Sequence, residues 1–140
     1  MKKLTKKDII KQTFYWGKKL NLLPFEIIIN NRMKWNGCVG YDRENRIITI
    51  TINIKSLIEN PQEMQEFIFH ELGHIKYRTW NWKNKMKSEY LAEKFALKNI
   101  KKYCPKQYLE HKKIWTETMK DKKWQKKYPI HYKAFSRIYK

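Results

Sequence analysis

The residues best placed to do chemistry are His70, Glu71 and His74, in the stretch FIFHELGHIKY at residues 67–77. Two histidines four residues apart lie one turn above the other on a helix, about 40° apart around its axis. That spacing lets two imidazole nitrogens bind one zinc ion at about 2.0–2.1 Å while the backbone stays helical. Glu71 would then point beside the metal, where a carboxylate can accept a proton from a bound water. The pattern predicts a metal site.

Gly73 lies in the same turn and supports a crowded site. Glycine inside a helix costs roughly 0.5–1 kcal/mol relative to alanine. Its presence beside the two histidines indicates that another element packs closely there, either the preceding strand or the following helix.

A catalytic zinc ion takes three protein ligands and leaves one position for water, so a third ligand is needed. Glu89 and Glu93 are the candidates, four residues apart on one face of a following helix. One could bind the metal while the other accepts the free N–H of a zinc-bound histidine. Spacing alone leaves both assignments open.

The elements around the motif can be predicted from apolar periodicity and capping residues. Thr5 and Asp8 suit the start of an amphipathic helix, and alternation of isoleucine with polar residues indicates a strand with one buried face. Asn60 is a candidate N-cap for the motif helix, with Pro61 at its first position, and Ser88 is a candidate cap for the next helix. We expect helices at 5–20, 61–79 and 88–103, a short strand within 23–31, a hairpin of strands 38–41 and 46–54 with its turn at 42–45, and a helical tail broken at Pro129.

The charge is unevenly distributed. Residues 98–140 carry 14 basic and 3 acidic residues, a net charge of +11 out of the total of +19. Such an excess favours binding to polyanions, and aromatic residues among the lysines could stack on nucleic-acid bases: Trp115, Trp124, Tyr128 and Tyr132. A genome that simply favours lysine would produce the same composition without any such function.

The two cysteines, Cys38 and Cys104, do not form the pattern of a secreted disulfide framework. The lysine-rich start develops no apolar stretch long enough for a signal peptide, and no segment approaches the ~18 apolar residues of a membrane span. We therefore expect a soluble, cytoplasmic protein that does not enter membranes.

The string HELGH, followed by EYLAEKFA, resembles the gluzincin metallopeptidases and is most similar to the ImmA/IrrE group, over roughly residues 25–97. The resemblance implies that Zn²⁺ is bound by His70, His74 and Glu89, that Glu71 is the general base, and that Glu93 supports a histidine. Glu93 stands where that group has Asp or Asn. The metzincin class is excluded, because it requires glycine and histidine where Tyr77 and Trp80 stand.

The fold implied is a minimal zincin-like α+β domain. It should contain an N-terminal helix, a small, mostly antiparallel twisted sheet, the HExxH helix, the glutamate helix and a basic helical C-terminal segment. We expect one domain over 1–140, with a catalytic core at about 5–103 and an extension at about 104–140.

The activity implied is hydrolysis of a peptide bond in a specific protein target, such as the repressors that ImmA/IrrE-like proteins are associated with cleaving. The hairpin strand just before the motif helix would offer an edge to an extended substrate. Candidate donors to the developing oxyanion are His131, Tyr132 and Tyr103. The alternatives are a nucleic-acid-associated protein acting through residues 98–140, including a DNA-proximal SprT-like protease, and a non-catalytic zincin-like binding module.

Overall fold

A computed structural model describes residues 3–140 and has an α+β fold. This range contains seven α-helices and a small three-stranded sheet, and two short 3-10 turns lie at Pro61–Glu63 and Thr79–Asn81. The elements are α1 (Lys6–Lys19), β1 (Glu26–Ile29), β2 (Gly37–Asp42), β3 (Ile47–Ile52), α2 (Ile54–Glu59), α3 (Met64–Lys76), α4 (Lys85–Tyr103), α5 (Pro105–Thr118), α6 (Lys122–Lys127) and α7 (Pro129–Phe135).

Helix α1 begins as its sequence predicts. The Thr5 hydroxyl accepts the backbone N–H of Asp8 at 3.2 Å, and the Asp8 carboxylate accepts the backbone N–H of Thr5 at 3.0 Å. This reciprocal capping box satisfies two backbone donors that the first turn leaves without helical partners. Ile9 and Trp16 then carry the buried face of the helix.

The sheet is mixed, and the expectation of a mostly antiparallel sheet is wrong. Its order is β1-β3-β2, with β1 parallel and β2 antiparallel to the central strand β3. Strand β3 also ends earlier than predicted. Asn53 leaves the strand and caps α2, since its side chain accepts the backbone N–H of Ser56 at 3.0 Å.

Helix α3, which carries the HExxH motif, is shorter than the predicted range 61–79. The Asn60 side chain does not cap it but donates to the Ser56 carbonyl at 3.0 Å, and a 3-10 turn precedes the α-helix. At the other end, Arg78 adopts a left-handed conformation with φ of 52°. A helix cannot continue through that conformation, so α3 ends at Lys76.

Helix α4 starts one turn before the predicted residue 88. Its N-cap is Asn84, which accepts the backbone N–H of Lys87 at 3.0 Å, and Ser88 is instead buried against α3. The prolines separate helices as expected, because Pro105 and Pro129 occupy the first positions of α5 and α7.

Two apolar clusters organise the described residues. The first joins α1, the sheet, α3 and α4, with Ile50, Ile52 and Leu72 fully buried. The second lies in the C-terminal segment and contains Met119, Ala134, Phe135 and Tyr139, with Tyr90 of α4 packed against it. The C-terminal segment therefore has a small core of its own that rests on α4. None of the described helices has the length and apolar character needed to cross a membrane.

Candidate metal centre

Close packing of α3 against α4 brings the motif side chains together. A Cβ on Gly73 would lie 2.8 Å from both the Cα and the carbonyl oxygen of Ala92, far inside van der Waals contact. Only glycine allows the two backbones to approach this closely. The close neighbour inferred from Gly73 is therefore the following helix, and the approach places Glu89 and Glu93 against the two histidines.

The three residues that the resemblance implies as ligands lie around one point. One ligand atom each from His70, His74 and Glu89 falls within 4.8 Å of the others. The Nε2 atom of His70 lies 2.8 Å from Glu89 Oε2, and the Nε2 atom of His74 lies 3.3 Å from Glu89 Oε1. Each carboxylate oxygen thus faces one imidazole nitrogen, the kind of donor set that zinc binds.

The second nitrogen of each imidazole has its own partner. His70 Nδ1 lies 2.9 Å from Glu93 Oε1, and His74 Nδ1 lies 2.6 Å from the hydroxyl of Thr79. A proton on Nε2 lets either histidine donate to Glu89. When that proton is released and Nδ1–H donates to its own partner, the Nε2 lone pair faces Glu89 and can bind a metal ion. Glu93 reaches His70 despite being one methylene longer than the Asp or Asn of the ImmA/IrrE pattern.

Electrostatics keep both carboxylates charged. Burial opposes protonation of His70, but its contacts with Glu89 and Glu93 raise its pKa well above the usual value, so metal binding would displace a proton from its ring. Burial alone would raise the pKa of Glu89, but hydrogen bonds from His131, His70 and His74 hold it far below its usual value. Burial likewise opposes ionisation of Glu93, yet contacts with His111 and His70 lower its pKa to about 2. Both carboxylates are therefore anions at neutral pH, and two imidazoles with an anionic carboxylate fit a divalent metal ion.

Glu71 is buried beside this group, with 7 % of its surface exposed. Burial raises the pKa of its carboxyl, while the neighbouring His74 and His70 oppose that shift. Its Oε2 atom has no hydrogen-bond partner among the described residues. A buried polar atom without a hydrogen-bond partner costs folding free energy. Such an atom is often one whose partner is a ligand or a water molecule.

A cleft of about 710 Å³ runs past these residues. Its lining includes Gly37, Cys38 and Val39 of β2 as well as Tyr128 and His131 of the C-terminal segment. The edge predicted for the substrate needs correction here. Strand β3, the last strand before the motif helix, is the central strand of the sheet. Among the described strands, the free edge beside the cleft belongs to β2.

The three predicted oxyanion donors lie in different places. His131 lines the cleft, its Nε2 atom lies 3.4 Å from Glu89 Oε2, and its ring stacks on Trp35 with centroids 5.4 Å apart. Tyr132 instead packs against the second apolar cluster. Tyr103 packs against Trp16 in the first cluster, with ring centroids 5.0 Å apart. Of these three, His131 alone is next to the site.

Several residues around the site were not predicted. Thr79 and Ser88 both approach His74, and no motif marks them. Glu66 could have been predicted from spacing, because it lies four residues before His70 and thus on the same helix face. It forms a second His–Glu group with Glu93 and His111.

Comparisons with known proteins add no assignment. No protein-family model matches the chain, and neither a curated protein nor a solved structure matches it significantly. What can be inferred about function therefore comes from the residues and their geometry.

Proposed function

We propose that this protein is a zinc-dependent endopeptidase whose metal ligands are His70, His74 and Glu89. The observation that carries the proposal is the meeting of these side chains in the wall of a cleft, next to a buried glutamate with an unpaired oxygen. The proposal includes the minimal zincin-like fold and the likeness to ImmA/IrrE proteins, which the HELGH and EYLAEKFA strings support.

The chain's own residues have distinct roles in this mechanism. Bound zinc would supply a Lewis acid and a water of lowered pKa. Glu71 accepts a proton from the attacking water and delivers it to the leaving amine, as its buried, unpaired carboxylate oxygen allows. His131, which lines the cleft beside Glu89, donates to the oxyanion that forms on the substrate carbonyl.

The substrate of such a site is an extended protein segment. Strand β2 pairs with β3 on one side only, so its other edge is free to add a peptide as a further strand. Residues 37–39 of β2 line the cleft. Backbone pairing of this kind needs a flexible or unfolded segment, which a folded helix or core strand does not provide.

The test uses zinc-loaded wild-type protein and the Glu71→Gln variant on a library of peptides derived from a cell proteome. We expect the wild type to generate new peptide termini and Glu71→Gln to generate none while keeping its zinc, because glutamine has similar size but cannot accept the proton. Comparative proteomics of cells that express each form would then identify the target. Equal cleavage by the two proteins, or none by the zinc-loaded wild type, would refute the peptidase.

We also propose a second function, nucleic-acid binding, on one observation: every lysine and arginine in residues 98–140 is exposed. The contribution of base stacking is smaller than the sequence indicated. Trp115 and Trp124 pack on each other and on Phe135, with Trp115 and Phe135 centroids 4.7 Å apart. Phosphate contacts by lysine would make affinity for a mixed-sequence duplex fall steeply between low and physiological salt. No binding at low salt would remove this function.

A further inference from the structure

Glu93 has two neighbourhoods, one on each carboxylate oxygen. Its side chain is fully buried, and Oε1 accepts the hydrogen bond from His70 Nδ1. Its Oε2 atom accepts a short hydrogen bond from the hydroxyl of Tyr139, which is 2 % exposed. Burial and the charge of Glu93 raise the pKa of Tyr139, so the hydroxyl keeps its proton and donates it.

The contacts continue beyond Tyr139. Its hydroxyl oxygen lies 2.9 Å from His111 Nε2, which can donate to it, and His111 Nδ1 lies 3.6 Å from Glu66 Oε2. The other Glu66 oxygen accepts the indole N–H of Trp115 at 2.7 Å. A continuous polar chain thus runs from a proposed metal ligand into the C-terminal segment, through Glu93, Tyr139, His111, Glu66 and Trp115.

The geometry favours a hydrogen-bond network over a second metal site, although one ligand atom each from Glu66, Glu93 and His111 falls within 4.8 Å of the others. The two nitrogens of His111 face different carboxylates, Nε2 at 3.5 Å from Glu93 and Nδ1 at 3.6 Å from Glu66. An imidazole binds a metal ion through one nitrogen, and His111 Nε2 already hydrogen-bonds to the Tyr139 hydroxyl at 2.9 Å, while both carboxylates lie at ion-pair distance from the ring. Donors from Tyr139 and Trp115 already reach these carboxylates.

We propose that Tyr139 and His111 are positioning residues of the metal centre, which orient His70 through Glu93. This inference rests on the proposed zinc site and extends it. Tyr139 fixes one oxygen of Glu93, so the other oxygen stays aligned with His70 Nδ1–H and holds the imidazole with its Nε2 lone pair toward Glu89. The C-terminal segment is therefore a working part of the metal centre and not only a basic extension.

Removing the Tyr139 hydroxyl should act on metal binding more than on folding. The phenyl ring of a Tyr139→Phe variant keeps its packing against Trp115 and Phe135, with which Tyr139 has ring contacts. Glu93 Oε2 loses its closest donor, and the carboxylate can turn away from His70. Changes in the residues that orient metal-bound histidines typically weaken metal binding about 10–100-fold.

The experiment measures zinc affinity by competition with a chromophoric chelator, for the wild type, Tyr139→Phe and a matched control, Tyr90→Phe. Tyr90 packs against the same apolar cluster but lies outside the polar chain. We expect the dissociation constant for zinc to rise at least tenfold in Tyr139→Phe and to be unchanged in Tyr90→Phe. The visible spectrum of the cobalt-substituted protein should shift in Tyr139→Phe alone, since a purely structural role would leave ligand geometry intact.

A second variant, His111→Gln, is measured in the same way and covers the case in which Tyr139→Phe fails to fold. Zinc affinity and a cobalt spectrum like those of the wild type in the folded variants would overturn the positioning role and leave the zinc site intact. Two zinc ions per wild-type chain, one of them lost in His111→Gln, would overturn it in favour of a second metal site. No zinc binding by the wild type would instead overturn the proposed function on which the inference rests.

Discussion

Two clusters of histidine and glutamate meet at Glu93, and they differ in which side chains donate hydrogen bonds to the carboxylates. In the first, Nε2 atoms of His70 and His74 face Glu89 at the wall of the cleft. In the second, the Tyr139 hydroxyl and the Trp115 indole N–H are directed at the carboxylates. Similar residue types therefore form a candidate metal centre in one place and a self-satisfied polar network in the other. What separates them is the kind of donor: Glu89 faces imidazoles, which can release a proton and bind a metal ion, whereas Glu93 and Glu66 also accept from a hydroxyl and an indole N–H, which do not.

The largest expected effect comes from changing one carboxylate in each cluster and measuring the zinc content. Glu89→Ala removes a proposed ligand, so the zinc content of purified protein should fall from one ion per chain to near zero. Glu66→Gln changes a carboxylate of the second cluster and should retain zinc. Metal analysis of both variants checks this, and retention of a full zinc ion by Glu89→Ala would exclude Glu89 as a ligand.

The shared residue should give a smaller, mixed effect. Glu93→Ala leaves His70 Nδ1–H and the Tyr139 hydroxyl without their partner, and a buried unsatisfied donor costs about 1–3 kcal/mol of folding free energy. Zinc affinity should fall about 10–100-fold, and binding should persist. Urea unfolding of the metal-free protein and chelator competition measure the two effects separately. Complete loss of zinc here, with retention in Glu89→Ala, would make Glu93 the third ligand.

The close packing of α3 against α4 supports both clusters, because each contains residues from these two helices. In Gly73→Ala the added methyl group would lie 2.8 Å from the backbone of Ala92, which cannot move aside as a side chain can. We expect a loss of about 1–3 kcal/mol in the free energy of unfolding, together with weaker zinc binding. Gly40→Ala is the control, because its Cβ would meet only the Thr49 hydroxyl at 3.3 Å. Equal stability of both variants would contradict the packing argument.

The smallest effect is expected from blocking the access of a peptide to the first cluster through the cleft. Cys38 lies on β2 and is exposed, so a bulky maleimide there should obstruct a peptide that pairs with this edge. We expect peptide cleavage to fall several-fold with zinc content unchanged. Although the residue is exposed, partial burial of its sulfur and the charge of Glu71 raise the pKa of the Cys38 thiol, so thiolate is scarce at neutral pH and labelling should speed up as pH rises.

The labelling is done in a Cys104→Ser background, and the matched control labels Cys104 in Cys38→Ser. Cys104 packs against the first apolar cluster and is not among the residues that line the cleft. Undiminished cleavage by the protein labelled at Cys38 would show that substrate does not use the β2 edge.

Local signals predicted much of this molecule. The Thr5–Asp8 capping box, the alternating isoleucines of β3 and the prolines at 105 and 129 each act within a few residues, so the sequence reveals them. The HExxH spacing is local in the same sense, whereas the preference for Glu89 over Glu93 came from the resemblance to the ImmA/IrrE pattern and stays a prediction.

Features that depend on distant pairing were missed. The parallel pairing of β1 with β3 joins segments that are distant in the sequence, and the short helix α2, which Asn53 caps, was not predicted. The contact of Tyr139 with Glu93 joins residues 46 positions apart, and no periodicity indicates it. The tail was expected to be mainly a basic extension, because its charge is visible in composition whereas its buried tyrosine and histidine are not.

The proposed zinc site is tested most directly by a crystal structure of the zinc-loaded protein, with anomalous diffraction data collected on both sides of the zinc absorption edge. We predict one zinc peak within about 2.0–2.2 Å of ligand atoms of His70, His74 and Glu89. A peak at the cluster of Glu66, Glu93 and His111 instead, or no peak at either cluster, would contradict the proposed zinc site.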